Sequence, residues 1–245
     1  MKSKRVAILQ SNYIPWKGYF DLINCVDEFI FYDCVQYTKH DWRNRNKIKT
    51  AAGSKWLTIP VTTTDLFTST FTVAQAQVAD PQWRRKHWSS LSQNYSRARY
   101  FQEYSKIFQA LYDDEELSLS KINQRFIKTV CQVLGIQTKI TDSTEYQLIG
   151  DRNERLVNLC KQAGATVYLS GPAAQDYLDE SLFGNESIAV EWMDYSNYPE
   201  YTQLFPPFDH YVTVLDLIFN EGPNATKFMK SFAEASAQNL VSSQT

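Results

Sequence analysis

The start of the chain constrains the fold most. Its sequence predicts a strand, a turn, a short helix and a second strand, in that order. The apolar run from Val6 to Gln10 predicts a buried strand, which breaks into a loop carrying Pro15 and Gly18. A short helix comes next, and a second apolar strand ends at Asp33. Strands that alternate with helices predict a mostly parallel sheet with helices packed against it.

Apolar spacing along the rest of the chain predicts further elements. Helices are predicted over residues 83–95, 100–134, 152–163, 173–178 and 212–219, and strands over residues 56–61, 136–142, 166–169 and 188–193. The acidic residues 113–116 divide the second helical stretch into a pair, and Gly135 ends it in a C′ position. Residues 62–80 are rich in Thr and Ser and predict an additional strand or a loop.

The order of elements predicts an α/β fold, with a mostly parallel Rossmann-like sheet and an inserted helical unit. Residues 1–80 form the predicted N-terminal α/β part, and residues 81–135 form the helical unit. Residues 136–230 form a C-terminal α/β part that completes one domain, followed by a flexible polar tail over residues 231–245.

Composition and charge exclude several classes of protein. A hydrophobic content of 43% and a charged content of 21% are ordinary for a globular chain, and a net charge of -2 gives no general attraction to nucleic acid or anionic membrane. No apolar stretch approaches a membrane span, so we expect a reducing, cytoplasmic location. Cys25, Cys34, Cys131 and Cys160 show no metal-binding or disulfide spacing. Only Cys34, at a strand end, is a candidate nucleophile, and a structural role is expected for it.

A basic and aromatic segment follows the second strand. Its basic residues are Lys39, Arg43, Arg45, Lys47, Lys49 and Lys55, and its one acidic residue is Asp41. Forked guanidinium groups suit a compact anion such as a pyrophosphate, and a solvated surface face is the alternative.

Ligands of α/β proteins bind outside the carboxyl ends of the strands, so the residues that follow the strands are the candidate site. Amides such as Gln10 and Asn12 can orient a sugar, aromatic rings can stack on it, and Gly171 opens a predicted helix start where anions can sit. Asp216 lies in an apolar segment, where Arg43 or Arg45 would pair with it, in a site or in a structural salt bridge. The predicted binding residues are Gln10, Asn12, Tyr13, Trp16, Gly18, Trp42, Arg43, Asn44, Arg45, Lys47, Gly171 and Asp216.

The predicted catalytic residues are His40, Asp41 and His210, because His is the natural acid–base group near neutral pH. His40 and Asp41 are adjacent, so on a strand they would point to opposite faces. The chain has no P-loop, GxGxxG, GxSxG or HExxH motif, so no metal ligand is predicted.

Four ordered motifs carry a resemblance to a known family: QSNYIPWKGYFDLI, DCVQYTKHDWRNRNKIK followed by WLTIPV, ATVYLSGPAAQDYLD, and DLIFNEG. From about Val6 to Gly222 the chain resembles the WbqC-like family. The resemblance implies a role in bacterial O-antigen and other surface-polysaccharide gene clusters, with transfer of glycine to an amino sugar. Before DLIFN the family usually has a Ser-containing stretch, whereas this chain reads HYVTVLD, with Thr213 as the nearest hydroxyl.

Two functions follow as hypotheses. The first is an aminoacyl or acyl transferase that forms an amide on a nucleotide-linked amino sugar, with His40 or His210 as base, Arg43 and Arg45 on a pyrophosphate, and aromatic residues around the sugar. Its activated acyl donor would be a thioester on an acyl-carrier protein, an aminoacyl-tRNA or an ATP-activated acid; any other cofactor is unknown, and no other nucleic-acid partner is expected. The second is a non-catalytic sugar- or nucleotide-binding accessory protein of a polysaccharide-assembly complex. A Cys34-dependent enzyme is a third alternative.

Overall fold

A parallel sheet forms the centre of the computed structural model, which describes residues 3–62 and 71–233. The strands are β1 (Arg5–Leu9), β2 (Glu28–Phe31), β3 (Arg45–Thr50), β4 (Gly53–Thr58), β5 (Lys139–Asp142), β6 (Val167–Ser170) and β7 (Ala189–Trp192). Five of them pair in the order β5-β2-β1-β6-β7, and every neighbouring pair is parallel. The predicted Rossmann-like α/β class is therefore confirmed. β3 and β4 form a separate antiparallel hairpin.

Helices cover both faces of the sheet. They are α1 (Lys17–Asn24), α2 (Trp83–Tyr95), α3 (Phe101–Tyr112), α4 (Leu119–Leu134), α5 (Arg152–Gln162), α6 (Glu180–Asn185) and α7 (Val214–Glu221). The predicted helix over residues 83–95 and the predicted pair within residues 100–134 are confirmed. Gly135 ends α4 at φ 73°, a left-handed conformation that glycine adopts without a Cβ penalty.

Side-chain alternation along β1 supplies two separate cores. Val6 and Ile8 point to one face, where they pack with the buried side of α5 and with Phe183 of α6. Ala7 points to the other face, into a larger core that also contains the apolar sides of α1, α4 and α7. Both faces of the strand are buried, which explains why its sequence is a continuous apolar run.

The hairpin and the segment after β6 differ from the sequence-based expectation. The predicted strand over residues 56–61 overlaps β4, but β3 was not predicted, because within Arg45–Thr50 only Ile48 is a large apolar residue. The predicted helix over residues 173–178 is wrong. A single 3-10 turn, Pro172–Ala174, stands there, and α6 begins only at Glu180.

Two predicted segments fall partly outside the described residues. These are residues 63–70 of the Thr- and Ser-rich segment and residues 234–245 of the polar tail. Ser231, with which the predicted tail begins, is buried, and its backbone N–H donates to Asp21 Oδ1 at 3.0 Å.

The buried carboxylate of Asp33 joins the ends of β1 and β2 to α4. Its Oδ1 accepts the backbone N–H of Ser11 at 2.7 Å, and its Oδ2 accepts the Ser11 hydroxyl at 2.7 Å. From α4, Oδ2 also accepts the Ser120 hydroxyl at 2.5 Å and the Gln124 amide at 3.4 Å. Charge-assisted hydrogen bonds of this kind are roughly twice as strong as neutral ones, so they hold the loop after β1 in one position.

Replacing Asp33 with Asn is expected to destabilise the fold by about 3 kcal/mol, because a donor NH2 group would then face other donors in a buried place. Urea unfolding followed by circular dichroism measures this change. Asp27→Asn is the matched control: Asp27 is exposed and accepts one backbone bond, from Arg5, so a loss below about 1 kcal/mol is expected. Equal losses in the two variants would contradict the role given to Asp33.

Candidate functional site

Two adjoining cavities lie at the carboxyl edge of the sheet. β1 pairs with β2 on one side and with β6 on the other, so the chain order reverses here, at the position where α/β proteins bind ligands. The larger, of about 830 Å³, is named the arginine cavity because Arg152 and Arg155 of α5 line it. Residues that follow the three strands complete its wall: Gln10 after β1, Cys34 after β2 and Gly171 after β6.

The smaller cavity, of about 470 Å³, is named the aromatic cavity. Its wall contains Trp16, Trp42, Tyr195 and Tyr211, with Asn12, Asn46 and Pro15. Gly171 and Ala173 line both cavities, so the two spaces meet at the turn after β6. A charged chamber beside an aromatic one suits a ligand with an anionic group and a ring.

Arg43 binds the two predicted amides that follow β1. Its guanidinium donates to Gln10 Oε1 at 3.0 Å and to Asn12 Oδ1, and it lies 3.7 Å from a carboxylate oxygen of Asp41. Gln10 lines the arginine cavity and Asn12 lines the aromatic cavity. Arg43 thus orients one amide in each cavity, which is a positioning role and not the anion-binding role predicted for it.

Asp41 is a weak base in this setting. Burial acts to raise its pKa, but the Arg43 charge and hydrogen bonds from Thr38 and the backbone of Trp42 outweigh burial, and the pKa is lowered from its usual 3.8. A carboxylate with a lowered pKa stays ionised near neutral pH and holds its cation. His40, its neighbour, is exposed at φ 58° and lines neither cavity.

The cations of the hairpin lie away from the cavities. Arg45 stacks over the Trp56 ring at 4.3 Å and donates to the His40 carbonyl, and Lys47 lies 5.2 Å from the same ring. Neither Arg45 nor Lys47 is part of either cavity wall. Trp42 forms the link between the two regions, because it lines the aromatic cavity and packs on Trp56 at 5.3 Å.

The Trp16 ring is held by the start of α1. A Cβ atom at Gly18 would overlap this ring, so the glycine is required for the close approach. Tyr195 and Tyr211 fix the ring from the other side, with centroids 5.3 Å and 5.9 Å away. Gly18 therefore supports the site indirectly. At Gly171 an added Cβ would meet only Tyr195 at 3.8 Å, and the turn behind it is too short to be the predicted helix start for an anion.

Two predicted binding residues belong to the core. Tyr13 is fully buried, and its hydroxyl oxygen lies 2.7 Å from the Tyr112 hydroxyl and 2.9 Å from His87 Nδ1. Asn44 is buried and donates to the Ile59 carbonyl at 2.8 Å. Neither lines a cavity, so Tyr13 does not provide the predicted sugar contact.

Asp216 is also a core residue, and the predicted pairing with Arg43 or Arg45 is wrong. It accepts the Tyr95 hydroxyl at 2.7 Å, the Tyr201 hydroxyl at 2.8 Å and the Gln203 amide at 3.0 Å. Burial raises its pKa, against the effect of these three donors. A buried carboxylate that neutral donors satisfy needs no cation.

The other predicted C-terminal residues flank α7. Thr213 is buried at the N-cap of α7, where its hydroxyl accepts the Leu215 N–H at 3.3 Å, so this hydroxyl has a structural role. The His210 ring packs on Phe208, with ring centroids 4.6 Å apart, and lines neither cavity. Burial lowers the pKa of His210, with the Lys17 charge acting in the same direction.

Several residues at the cavities were not predicted as site residues. They are Arg152, Arg155, Tyr177, Tyr195 and Tyr211. The spacing of the two arginines, three apart at the start of a predicted helix, was the available signal, because it places both on one helix face. No comparable pattern marks the tyrosines.

The described residues, 3–62 and 71–233, contain no group of three His, Cys, Asp or Glu side chains placed to hold a metal ion. None of the helices in those ranges is long and apolar enough to span a bilayer.

The sheet order and the paired cavities define an α/β protein with an open cleft at its switch point. The chain belongs to the WbqC-like protein family, whose model matches residues 10–228. It is similar to an uncharacterized protein of Mycobacterium tuberculosis, Rv1507c, at 46% identity over 228 residues, which covers 93% of this chain and 98% of the relative. No solved structure matches the chain.

The stability of the fold is expected to depend on the charge of His87. Burial lowers the pKa of this imidazole from 6.5 to about 4, although the Thr58 backbone favours the charged form. In the window between those values the unfolded chain binds a proton that the folded protein does not, so about 3 kcal/mol of stability is lost as the pH falls through it. Urea unfolding across the window measures the slope, and His87→Gln should flatten it. An equal slope in the variant would contradict this origin.

Cys34 is expected to react slowly at neutral pH. Burial raises the pKa of its thiol above 9.0, against a hydrogen bond from the Ser143 hydroxyl at 3.6 Å, so little thiolate is present. The rate of iodoacetamide labelling, followed by peptide mass spectrometry, should rise only above about pH 9. Cys34→Ser should retain ligand binding. Fast labelling at neutral pH, or loss of activity in Cys34→Ser, would instead favour the Cys34-dependent alternative.

Proposed function

We propose that the protein binds a nucleotide-linked amino sugar across the two cavities and transfers an aminoacyl or acyl group, such as glycyl, to its amine in bacterial surface-polysaccharide synthesis. The supporting observation is the meeting of the arginine and aromatic cavities at Gly171 and Ala173. Cationic groups suit a phosphate, and flat rings suit a sugar. Ligand sites of a few hundred cubic ångströms are typical of small-molecule clefts.

The reaction in this proposal joins the amine nitrogen to the carbonyl carbon of an activated acyl group. The bond from that carbon to its leaving group breaks, and one amine proton passes to a base. The donor is an acyl-carrier thioester, an aminoacyl-tRNA or an ATP-activated acid. Arg43 donates a hydrogen bond to Asn12 Oδ1. In this proposal the Asn12 amide nitrogen donates to the acyl oxygen in the aromatic cavity.

One observation favours a second function, that of a non-catalytic sugar- or nucleotide-binding accessory protein. Within the described ranges, neither cavity wall contains a histidine or a carboxylate that could act as the base. The predicted catalytic residues His40, Asp41 and His210 stay predictions, since a bound ligand would have to reach beyond these walls to meet them. Binding needs only the cationic and aromatic groups.

Trp16→Ala is expected to weaken binding of a nucleotide-linked amino sugar by roughly tenfold, because a sugar loses its stacking surface, while binding of the nucleotide diphosphate alone is retained. Isothermal titration calorimetry with UDP-glucosamine and UDP measures both. Trp88→Ala is the matched control, since Trp88 is half-buried like Trp16 but lines neither cavity. Equal binding by wild type and Trp16→Ala would contradict the proposed sugar position.

Incubation with each donor class distinguishes the enzyme from the accessory protein. An amide product, seen by mass spectrometry as the sugar nucleotide plus the acyl group, supports the transferase. The transferase hypothesis also requires that His40→Ala, His210→Ala or Asp41→Asn lowers the yield. Tight binding without product for all three donor classes supports the accessory role.

A further inference from the structure

We propose that Arg152 and Arg155 form the binding site for the diphosphate group of an organic diphosphate inside the arginine cavity. This inference deepens the proposed function, because it names the groups that would hold the anionic portion of a nucleotide-linked substrate. It also moves the anion site to α5 from the basic and aromatic segment after the second strand, where Arg43 and Arg45 were predicted to hold it.

The two arginines occupy one face of α5. They are three residues apart in the first turns of the helix, and both line the arginine cavity together with Leu156. Residues at this spacing are neighbours on a helix surface, so two forked guanidinium groups are presented side by side. Two adjacent forks suit two linked phosphates better than one.

Neither cation has an acidic partner in the part of the chain that the structure describes. Along the described ranges no carboxylate forms an ion pair with either arginine, whereas Arg43 is within ion-pair distance of Asp41 and also donates to two amides. Arg152 is instead held over the Tyr177 ring at 3.6 Å, and Arg155 donates through Nε to the Gly150 carbonyl at 2.8 Å. These neutral partners orient the two guanidinium groups without neutralising their charge.

Two backbone N–H groups at the start of α5 are already bonded to a side chain, so they do not contribute to anion binding. The Asp151 side chain caps the helix and accepts the N–H groups of Asn153 and Glu154 at 2.9 Å and 3.1 Å. The positive potential of this cavity wall therefore comes from the guanidinium groups. It also acts on Tyr32, which lines the same cavity: burial raises the pKa of that phenol to about 12, and the charge and hydrogen bond of Arg155 and the charge of Arg152 act in the opposite direction.

The arrangement of the two cavities also limits where the organic groups attached to the diphosphate can lie. From a diphosphate on α5, the organic group can extend either into the rest of the arginine cavity or past Gly171 into the aromatic cavity. A nucleotide-linked sugar uses both directions, with the nucleoside on one side of the diphosphate and the sugar on the other. A lipid diphosphate presents the same anionic group, so the experiment includes both sources.

Calorimetry with inorganic pyrophosphate, UDP, geranyl diphosphate and inorganic phosphate tests the site in the full chain. Wild type should bind pyrophosphate and UDP more tightly than phosphate. Arg152→Gln and Arg155→Gln should each weaken both by about tenfold or more, since each removes charge-assisted hydrogen bonds. Tighter binding of UDP than of geranyl diphosphate would support a nucleotide source, and the reverse a lipid source.

Arg99→Gln is the matched control, because Arg99 is exposed and stacks on Tyr100 at 5.2 Å but lines neither cavity. A second readout is alkylation of Cys34, which bound UDP should slow, while labelling of Cys25, outside both cavities, should not change. Unchanged affinity in both α5 variants, or equal losses in Arg99→Gln, would overturn the proposal.

The outcome is separable from that of the proposed function. A protein that binds UDP through both arginines but forms no amide with any donor refutes the transferase and supports this site. Amide formation that survives at wild-type rate and substrate affinity in Arg152→Gln and Arg155→Gln overturns this site alone.

Discussion

The buried Asp33 carboxylate is the interaction on which the cleft depends. It accepts hydrogen bonds from Ser11, which follows β1, and from Ser120 and Gln124 of α4, so one anion joins two strand ends to a helix. Asn123, next to these donors, continues the network to the Arg43 carbonyl at 2.8 Å. Because each of these bonds joins a buried polar group to a different segment of the chain, the network determines where the loops of the site lie.

The arginines show how partner atoms decide the use of one residue type. Arg43 meets amide and carboxylate oxygens of its own chain, so its donors are consumed in positioning. Arg45 stacks on Trp56 and donates to a backbone carbonyl on the hairpin. Arg152 packs on a ring and Arg155 donates to a backbone carbonyl, and these neutral partners orient a guanidinium without neutralising it. Arg45 has neutral partners too but lines neither cavity, so among these four arginines the α5 pair is the one that brings an unneutralised charge to a cavity wall.

Much of the fold could be predicted, because helices such as α2 and α4 and the buried β1 carry regular apolar patterns. The hairpin could not, since β3 is polar and is stabilised by pairing with β4. For the site, the predicted binding residues Gln10, Asn12, Trp16 and Trp42 do line the cavities, because strand ends share one edge, and ligand binding by them stays a prediction. Tyr13 and Asp216 were not distinguishable from ligand contacts by sequence, because their partners, such as Tyr112 and Tyr95, are distant along the chain.

A single guanidinium connects the two halves of the cleft. Arg43 holds the carbonyl oxygen of Gln10 beside the arginine cavity and that of Asn12 beside the aromatic cavity. Each amide also carries an NH2 group with two donors, besides the oxygen that accepts from Arg43. In the proposed function these donors would meet oxygen atoms of the ligand. Asp41 stabilises the arrangement by keeping Arg43 in place, so the ion pair that precedes the hairpin reaches the cavity walls through the two amides.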